Sequence, residues 1–186
     1  LPGKRVDDDM NRASVPLASR FQGKQINEQA NPDAKIQALS NMNSKAKDHA
    51  SVGGEEFKAY AFDYWQYLDS MVFWEGLVPS ADVIDAAHRN GVPIYGTLFY
   101  NWSSSIKDQE RFAETLKEDS EGSKTFPIAR KLVDLAKYYG YDGYFINQET
   151  TGNLVEPLGP KLRDFLLYTK EYAKSVNYPI KYSWYD

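Results

Sequence analysis

The sequence contains no cysteine and only two histidines, and it has no apolar run long enough to span a bilayer. Without cysteine there can be no disulfide framework, zinc ribbon or thiol nucleophile. Compartment is left undecided by composition, because chains without thiols suit an oxidising exterior and are also common in the cytosol. Basic residues are outnumbered, 22 Lys and Arg against 26 Asp and Glu for a net charge of -4, and they are spread along the chain, so nothing supports a nucleic-acid surface. No leader opens the sequence: Leu1-Pro2-Gly3-Lys4-Arg5 runs into Asp7-Asp8-Asp9, which reads as a processed start. Yet 42% of the 186 residues are hydrophobic and 15% aromatic, far too apolar for a disordered chain. A globular protein is the remaining class.

Aromatic residues are nearly missing from the first third, where Phe21 is the only one before Phe57. Residues 1–56 therefore read as a polar lead-in. It has one candidate helix from Pro32 to about Ala50, with Ile36, Leu39, Met42 and Ala46 at helical spacing and Gly53-Gly54 as its stop. From residue 57 onward, β-rich runs alternate with amphipathic helices. Strands are expected at Ser70–Trp74, Val92–Tyr100, Tyr141–Gln148 and Pro179–Tyr185. Helices are expected after Ser80, which can cap, and around Gln109–Lys117, from Pro127 to Gly140, and from Pro160 through Tyr172.

Four strands separated by helices imply an α/β fold with a parallel sheet, because parallel neighbours need a crossover. A closed (β/α)8 TIM barrel takes about 250 residues. Residues 57–186 would then supply about the first half of one, and would need the remainder of the domain to cover an open sheet edge. A small doubly wound sheet is the alternative architecture.

In such folds the chemistry collects at the C-terminal ends of the strands. Those ends carry Trp74, Tyr100-Asn101-Trp102, Asn147-Gln148-Glu149 and Trp184-Tyr185-Asp186. Aromatic platforms beside amides and acids are what a sugar site uses, although a Trp at a strand end is also ordinary core or rim. Asn147 and Glu149 stand two apart, so on an extended strand both project from one face. An Asn ending the apolar run Tyr144-Phe145-Ile146 needs a hydrogen bond. A partly dry aromatic setting favours an uncharged Glu149, which suits a general acid. A strand-ending polar cap would leave the same letters.

The run Tyr139-Gly140-Tyr141-Asp142-Gly143-Tyr144-Phe145-Ile146-Asn147-Gln148-Glu149 resembles the signature strand of glycoside hydrolase family 85, the endo-β-N-acetylglucosaminidases of N-linked glycans. Tyr64-Trp65-Gln66-Tyr67-Leu68-Asp69, Ala86-Ala87-His88-Arg89-Asn90-Gly91-Val92 and Gly96-Thr97-Leu98 resemble the same family in the expected order. The resemblance implies a barrel hydrolase without metal or cofactor that cuts the β-1,4 bond between the two core N-acetylglucosamines of an N-linked glycan or glycoprotein. It also implies substrate-assisted retaining catalysis through an oxazolinium ion. Glu149 would be the acid and then the base, and Asn147 would hold the acetamide N–H. Tyr100, Asn101, Trp102, Trp74, Trp184 and Asp186 would contact substrate. An extracellular or cell-surface location is implied in the same way.

The signature also echoes the D-x-x-D-x-D-x-E pattern of family 18 chitinase-type enzymes, with Asp142 and Glu149 in place but Phe145 and Asn147 where the middle acids would stand. A neutral Asn offers less electrostatic help to a growing positive charge than an Asp. Asn101 stands where the family commonly has Glu before the Trp, a departure that bears on glycan preference. His88, at a helix end, reads as structural, and with only His49 besides it no metal site is visible. Arg130-Lys131 and Lys181 read as solvated surface, and Asp142 as a structural loop residue. The competing readings are a non-catalytic glycan-binding barrel, a family 18-like glycosidase, and a two-carboxylate glycosidase using Glu149 and Asp186.

Overall fold

Four of the apolar runs become strands because each is short, β-branched or aromatic, and bounded by Gly or Pro. The computed structural model describes residues 11–20, 29, 31, 33–40, 62–74 and 76–185. The strands are β1 (Gln37–Ser40), β2 (Ser70–Phe73), β3 (Ile94–Ser103), β4 (Gly143–Thr150) and β5 (Lys181–Tyr185). The helices are α1 (Ala81–Arg89), α2 (Ile106–Thr115), α3 (Pro127–Tyr139) and α4 (Gly159–Ser175), with single 3-10 turns at Trp65–Tyr67 and Glu156–Leu158. The sheet order is β1-β2-β3-β4-β5, and β1 with β2, β2 with β3 and β4 with β5 are parallel pairs. This is a parallel α/β fold. Its strand order has no reversal, unlike a doubly wound sheet, and among the described residues β1 and β5 remain the outer strands.

One element overturns the reading of the lead-in. Where a helix was expected from Pro32, Gln37–Ser40 form β1 and pair with Ser70–Phe73 along their whole length. Ile36 is held at one end, its N–H donating to the Asp69 carboxylate at 2.9 Å and its carbonyl accepting the Asp69 N–H at 2.8 Å. At the other end the Trp74 N–H donates to Ser40 at 3.0 Å. A four-residue segment has too little helical propensity to resist a neighbouring strand with free backbone groups, so pairing decides. Ile36 and Leu39, read as a helix's buried face, are about half exposed, at 53% and 51%. Met42, Ala46, His49, Ala50, Gly53-Gly54, Phe21, Phe57, the first ten residues and Asp186 lie outside the described residues.

Two compact units divide the chain: Leu1–Gly96 with Tyr139–Tyr141, and Thr97–Tyr138 with Asp142–Asp186. In the first, Met71, Val72, Ile84, Ala87, Val92 and Ile94 are fully buried. Gly96 has no room for a side chain, because a Cβ there would overlap the backbone carbonyl of Leu77. Residues 13–20 form a strap over this unit. The Asp85 carboxylate accepts the N–H groups of Ser14 and Val15 at 2.8 and 3.0 Å. His88, 4% exposed, faces the Val15 carbonyl through Nδ1 at 2.6 Å, which requires that nitrogen to carry the proton. The Ala18 N–H donates to the His88 carbonyl, and Arg20 donates to the Leu68 carbonyl. Ser80 sits at the start of α1 as expected, but its hydroxyl makes no cap bond there.

In the second unit the expected helices form close to their assigned places, α2 starting at Ile106 instead of near Gln109 because Ser105 accepts the Asp108 N–H and so caps it. Tyr100 packs edge-on against Phe112, with ring centroids 4.9 Å apart, and Phe126 packs against Phe165 at 5.4 Å. The loop between α2 and α3 is closed by a two-pronged pair, Arg130 to Asp119 at 2.7 and 2.8 Å. Bonding from Arg130 and then from the Thr125 hydroxyl holds the Asp119 carboxyl down at about 2. Arg130, read as solvated surface, is about a third exposed, at 32%, and also donates to the Tyr168 hydroxyl, so it ties the loop to α4 from the edge of this unit.

Replacing Gly96 with Ala should cost about 1–3 kcal/mol, because the Leu77 backbone must move; an unchanged denaturant midpoint would contradict this. The strap should loosen in acid. Burial pushes the Asp85 carboxyl up, but bonds from the Val15 and Ser14 N–H groups and the Ser14 hydroxyl, with Arg89 nearby, outweigh it and leave the pKa below the ordinary value. Because the folded-state pKa is depressed, the contribution is full above the unfolded pKa and disappears as pH falls through the folded one, from about pH 4 downward. Amide exchange at Ser14 and Val15, corrected for intrinsic rates, should lose protection over that range in the native protein and not in an Asp85→Asn variant.

Candidate active site

β4 supplies the centre of the site. Its alternation is read from Tyr144, whose hydroxyl donates to the Leu132 carbonyl of α3 at 2.7 Å. Tyr144, Ile146, Gln148 and Thr150 therefore share the side facing the helix, and Phe145, Asn147 and Glu149 share the opposite one. Asn147 is 3% exposed and Glu149 half-buried. The Asn147 Nδ2 donates to Glu149 Oε2 at 2.8 Å. That bond relieves the desolvation of a buried amide and fixes which carboxyl oxygen is occupied.

β3 lies beside β4 and contributes Asn101. Thr150 Oγ1 donates to the Asn101 carbonyl at 2.9 Å, and the Thr151 N–H donates to the Ser103 carbonyl at 3.0 Å, so the ends of the two strands are stitched together. Tyr100 turns the other way. Its ring is 6% exposed, its hydroxyl donates to Thr115 Oγ1 at 2.8 Å, and the Arg111 guanidinium lies 5.4 Å from its centroid. Burial, only partly opposed by Thr115 and Arg111, pushes the Tyr100 pKa up and keeps the phenol neutral. The expectation that Tyr100 lines a cleft is corrected: alternation commits it to the packing against α2. Asn101, half-buried, has the opposite parity, and its side chain bonds to the Asp108 carboxylate in the first turn of α2.

Trp102 is 86% exposed at the end of β3, an indole with most of its apolar surface in solvent. Trp184 is displaced from the site. Its position on β5 pairs with Ile146, and it lines an apolar groove of about 280 Å³ with Leu162, Leu166 and Lys170 of α4. Trp74 follows β2 in the first unit and is half-buried. Asp186 lies outside the described residues, so a second carboxylate there has no geometry. The structure thus brings together Asn147 and Glu149, and it turns Tyr100 and Trp184 elsewhere. Asp142 acts through its backbone, its carbonyl accepting the Lys181 N–H at 2.9 Å. Two features carried no sequence signal: the position of Tyr185, which pairs with Asn147 in the β4–β5 register, and the buried amide of Gln109, whose partners come from separate loops. No group of three or more His, Asp or Glu side chains among the described residues is placed to hold a metal ion, and no described helix is long and apolar enough to cross a membrane.

Residues 40–186 match the sequence pattern described as glycosyl hydrolase family 85. The chain belongs to that family. Among solved structures, the glycoside hydrolase domain of Endo-D from Streptococcus pneumoniae R6 superposes with a TM-score of 0.89 at 77% identity, covering 100% of this chain and 29% of that one. The cytosolic endo-beta-N-acetylglucosaminidase of Danio rerio is 32% identical over 82% of this chain, and that of Gallus gallus 28% over 84%. This family 85 chain spans only 21% of the length of those two relatives. Their descriptions overturn the expectation of an extracellular or cell-surface location. Both are cytosolic by name, so family 85 membership does not imply export.

Two substitutions separate exposed from packed aromatics. Trp102→Ala should leave unfolding free energy within about 0.5 kcal/mol of the native value, as an exposed surface change does. Tyr100→Phe should cost about 1 kcal/mol, through the Thr115 hydroxyl left without its donor. Equal effects in chemical denaturation would contradict the assignment of the two residues to opposite environments.

Proposed function

We propose that this chain forms part of an endo-β-N-acetylglucosaminidase that hydrolyses the β-1,4 bond between the two core N-acetylglucosamines of N-linked glycans. Family membership favours a glycosidase of this kind, and the observation that carries the residue assignment is the 2.8 Å Asn147–Glu149 bond on one face at the end of β4. In the proposed mechanism the substrate's 2-acetamido oxygen attacks the anomeric carbon as the bond to the leaving sugar breaks. Glu149 gives its proton to the leaving oxygen. Because Oε2 accepts from Asn147, the proton to be transferred resides on Oε1. Water then opens the oxazolinium ring at the anomeric carbon, and Glu149, now a carboxylate, takes its proton. Asn147 orients the acetamide, its side-chain oxygen accepting the N–H, so the nucleophile is held in line by a neutral group.

The proposed architecture is the first part of a (β/α)8 barrel. A parallel sheet in unreversed order supports it, since a barrel winds its strands consecutively. The rest of the catalytic domain would complete the cleft, with Trp102 and Asn101 contacting glycan from the end of β3. In the full-length protein, Glu149→Gln should abolish glycan release from a glycoprotein while leaving glycan binding intact, and a thiazoline analogue of the oxazolinium ion should inhibit. Undiminished release by the Gln variant would refute Glu149 as the acid. Binding without cleavage by the unsubstituted protein would favour a glycan-binding barrel. Failure of the thiazoline to inhibit would favour two catalytic carboxylates.

A further inference from the structure

The loops that leave β3 and β4 meet on one buried side chain. Gln109 of α2 is 5% exposed, and both ends of its amide are bonded. Nε2 donates to the Ser104 carbonyl, just beyond β3, at 2.8 Å, and Oε1 accepts the Leu154 N–H, just beyond β4, at 3.1 Å. Gly152 lies flat against this amide, at φ 129°, and a Cβ there would come within 2.5 Å of Gln109 Cδ. The Gly152 carbonyl in turn accepts the N–H groups of Val155 and Glu156 at 2.8 and 3.0 Å, which winds the segment into the Glu156–Leu158 turn. The loop following Glu149 therefore has one defined course, set from the β3 side.

A surface loop needs no such clasp for its own stability, since water would satisfy the same backbone groups. Burying a fully bonded amide between two loops is rigid and intolerant of change, because deleting either end strands a buried partner. The residues it ties together, Ser104 and Leu154, lie three positions after Asn101 and five after Glu149.

We infer that Gln109 is a positioning residue for Glu149: with Gly152 it locks the loop beyond the acid to the loop beyond β3 and so sets the spacing at which Glu149 meets the glycosidic oxygen. This rests on the reading of Glu149 as the acid. The clasp does not touch substrate. It acts through alignment, so its loss falls mainly on kcat, with KM moving less.

The test uses the full-length protein. Gln109→Met keeps the side chain's length and removes both bonds; Gln109→Glu keeps the acceptor for Leu154 and loses the donor to Ser104. The Met variant should lower kcat about 10- to 100-fold, the scale of a small misalignment at a reacting centre, and should speed amide exchange at Leu154 at least about tenfold. The Glu variant should recover Leu154 protection and part of kcat. A folded Met variant with native kcat overturns the inference, whatever its Leu154 exchange. If that variant does not fold, Gly152→Ala, which presses on the clasp from the other side, must lower kcat, and native kcat there overturns it equally. If the unsubstituted protein releases no glycan, the reading of Glu149 fails, and Leu154 exchange alone decides whether the clasp exists.

Discussion

The two-residue period of β4 is the constraint on which the site depends. Because the strand is extended, Asn147 and Glu149 emerge on one side while Ile146 and Gln148 emerge on the other, and the 2.8 Å bond between the two polar groups follows from that spacing. A one-residue slip of β4 against its neighbours would bury the acid beside α3 and put Tyr144 into the cleft. Register is therefore part of the chemistry. It is held by the Tyr144 hydroxyl on Leu132, by the pairing of residues 143–147 with 181–185, and by the Thr150 and Thr151 bonds to β3.

The partner of the acid is an amide, not a second carboxylate, and this has an electrostatic consequence. Two carboxylates at hydrogen-bond distance would compete for one proton, whereas an amide donates to Glu149 without adding charge. The same neutrality gives less help to a developing cation. The catalysis proposed for this pair would lean on placement more than on field strength, which fits loops tied by a buried glutamine. Tyr182 is likewise kept neutral: burial, opposed by a bond to Thr169 and reinforced by the neighbouring Tyr100 phenol, pushes its pKa well up.

Much of this was legible from local pattern. The four main strands, the helices opened by Pro127 and Pro160, and the shared face of Asn147 and Glu149 all follow from period and punctuation within a few residues. The failures share a cause. Ile36 and Leu39 have helical spacing, but Leu39 lies in β1 and Ile36 immediately precedes it, because the pairing partner that decides is more than thirty positions away. Tyr100 and Trp184 sit at strand ends like Trp102, and Tyr100 and Trp102 even share one face of β3, but Phe112 of α2 covers the Tyr100 ring, α4 flanks Trp184, and Trp102 stays in solvent, so tertiary cover decides which ring is buried.

By itself, the sequence determined the element types, the parallel α/β class, the family and the pair of residues proposed for catalysis, since all of these are properties of neighbours along the chain. Only the tertiary structure decided that a fifth strand comes from the polar lead-in, that Tyr100 and Trp184 face helices, and that Gln109 joins two loops. Each of those rests on contacts between residues distant in sequence, where a hydrogen bond or a packed face, and not local propensity, sets the lower free energy.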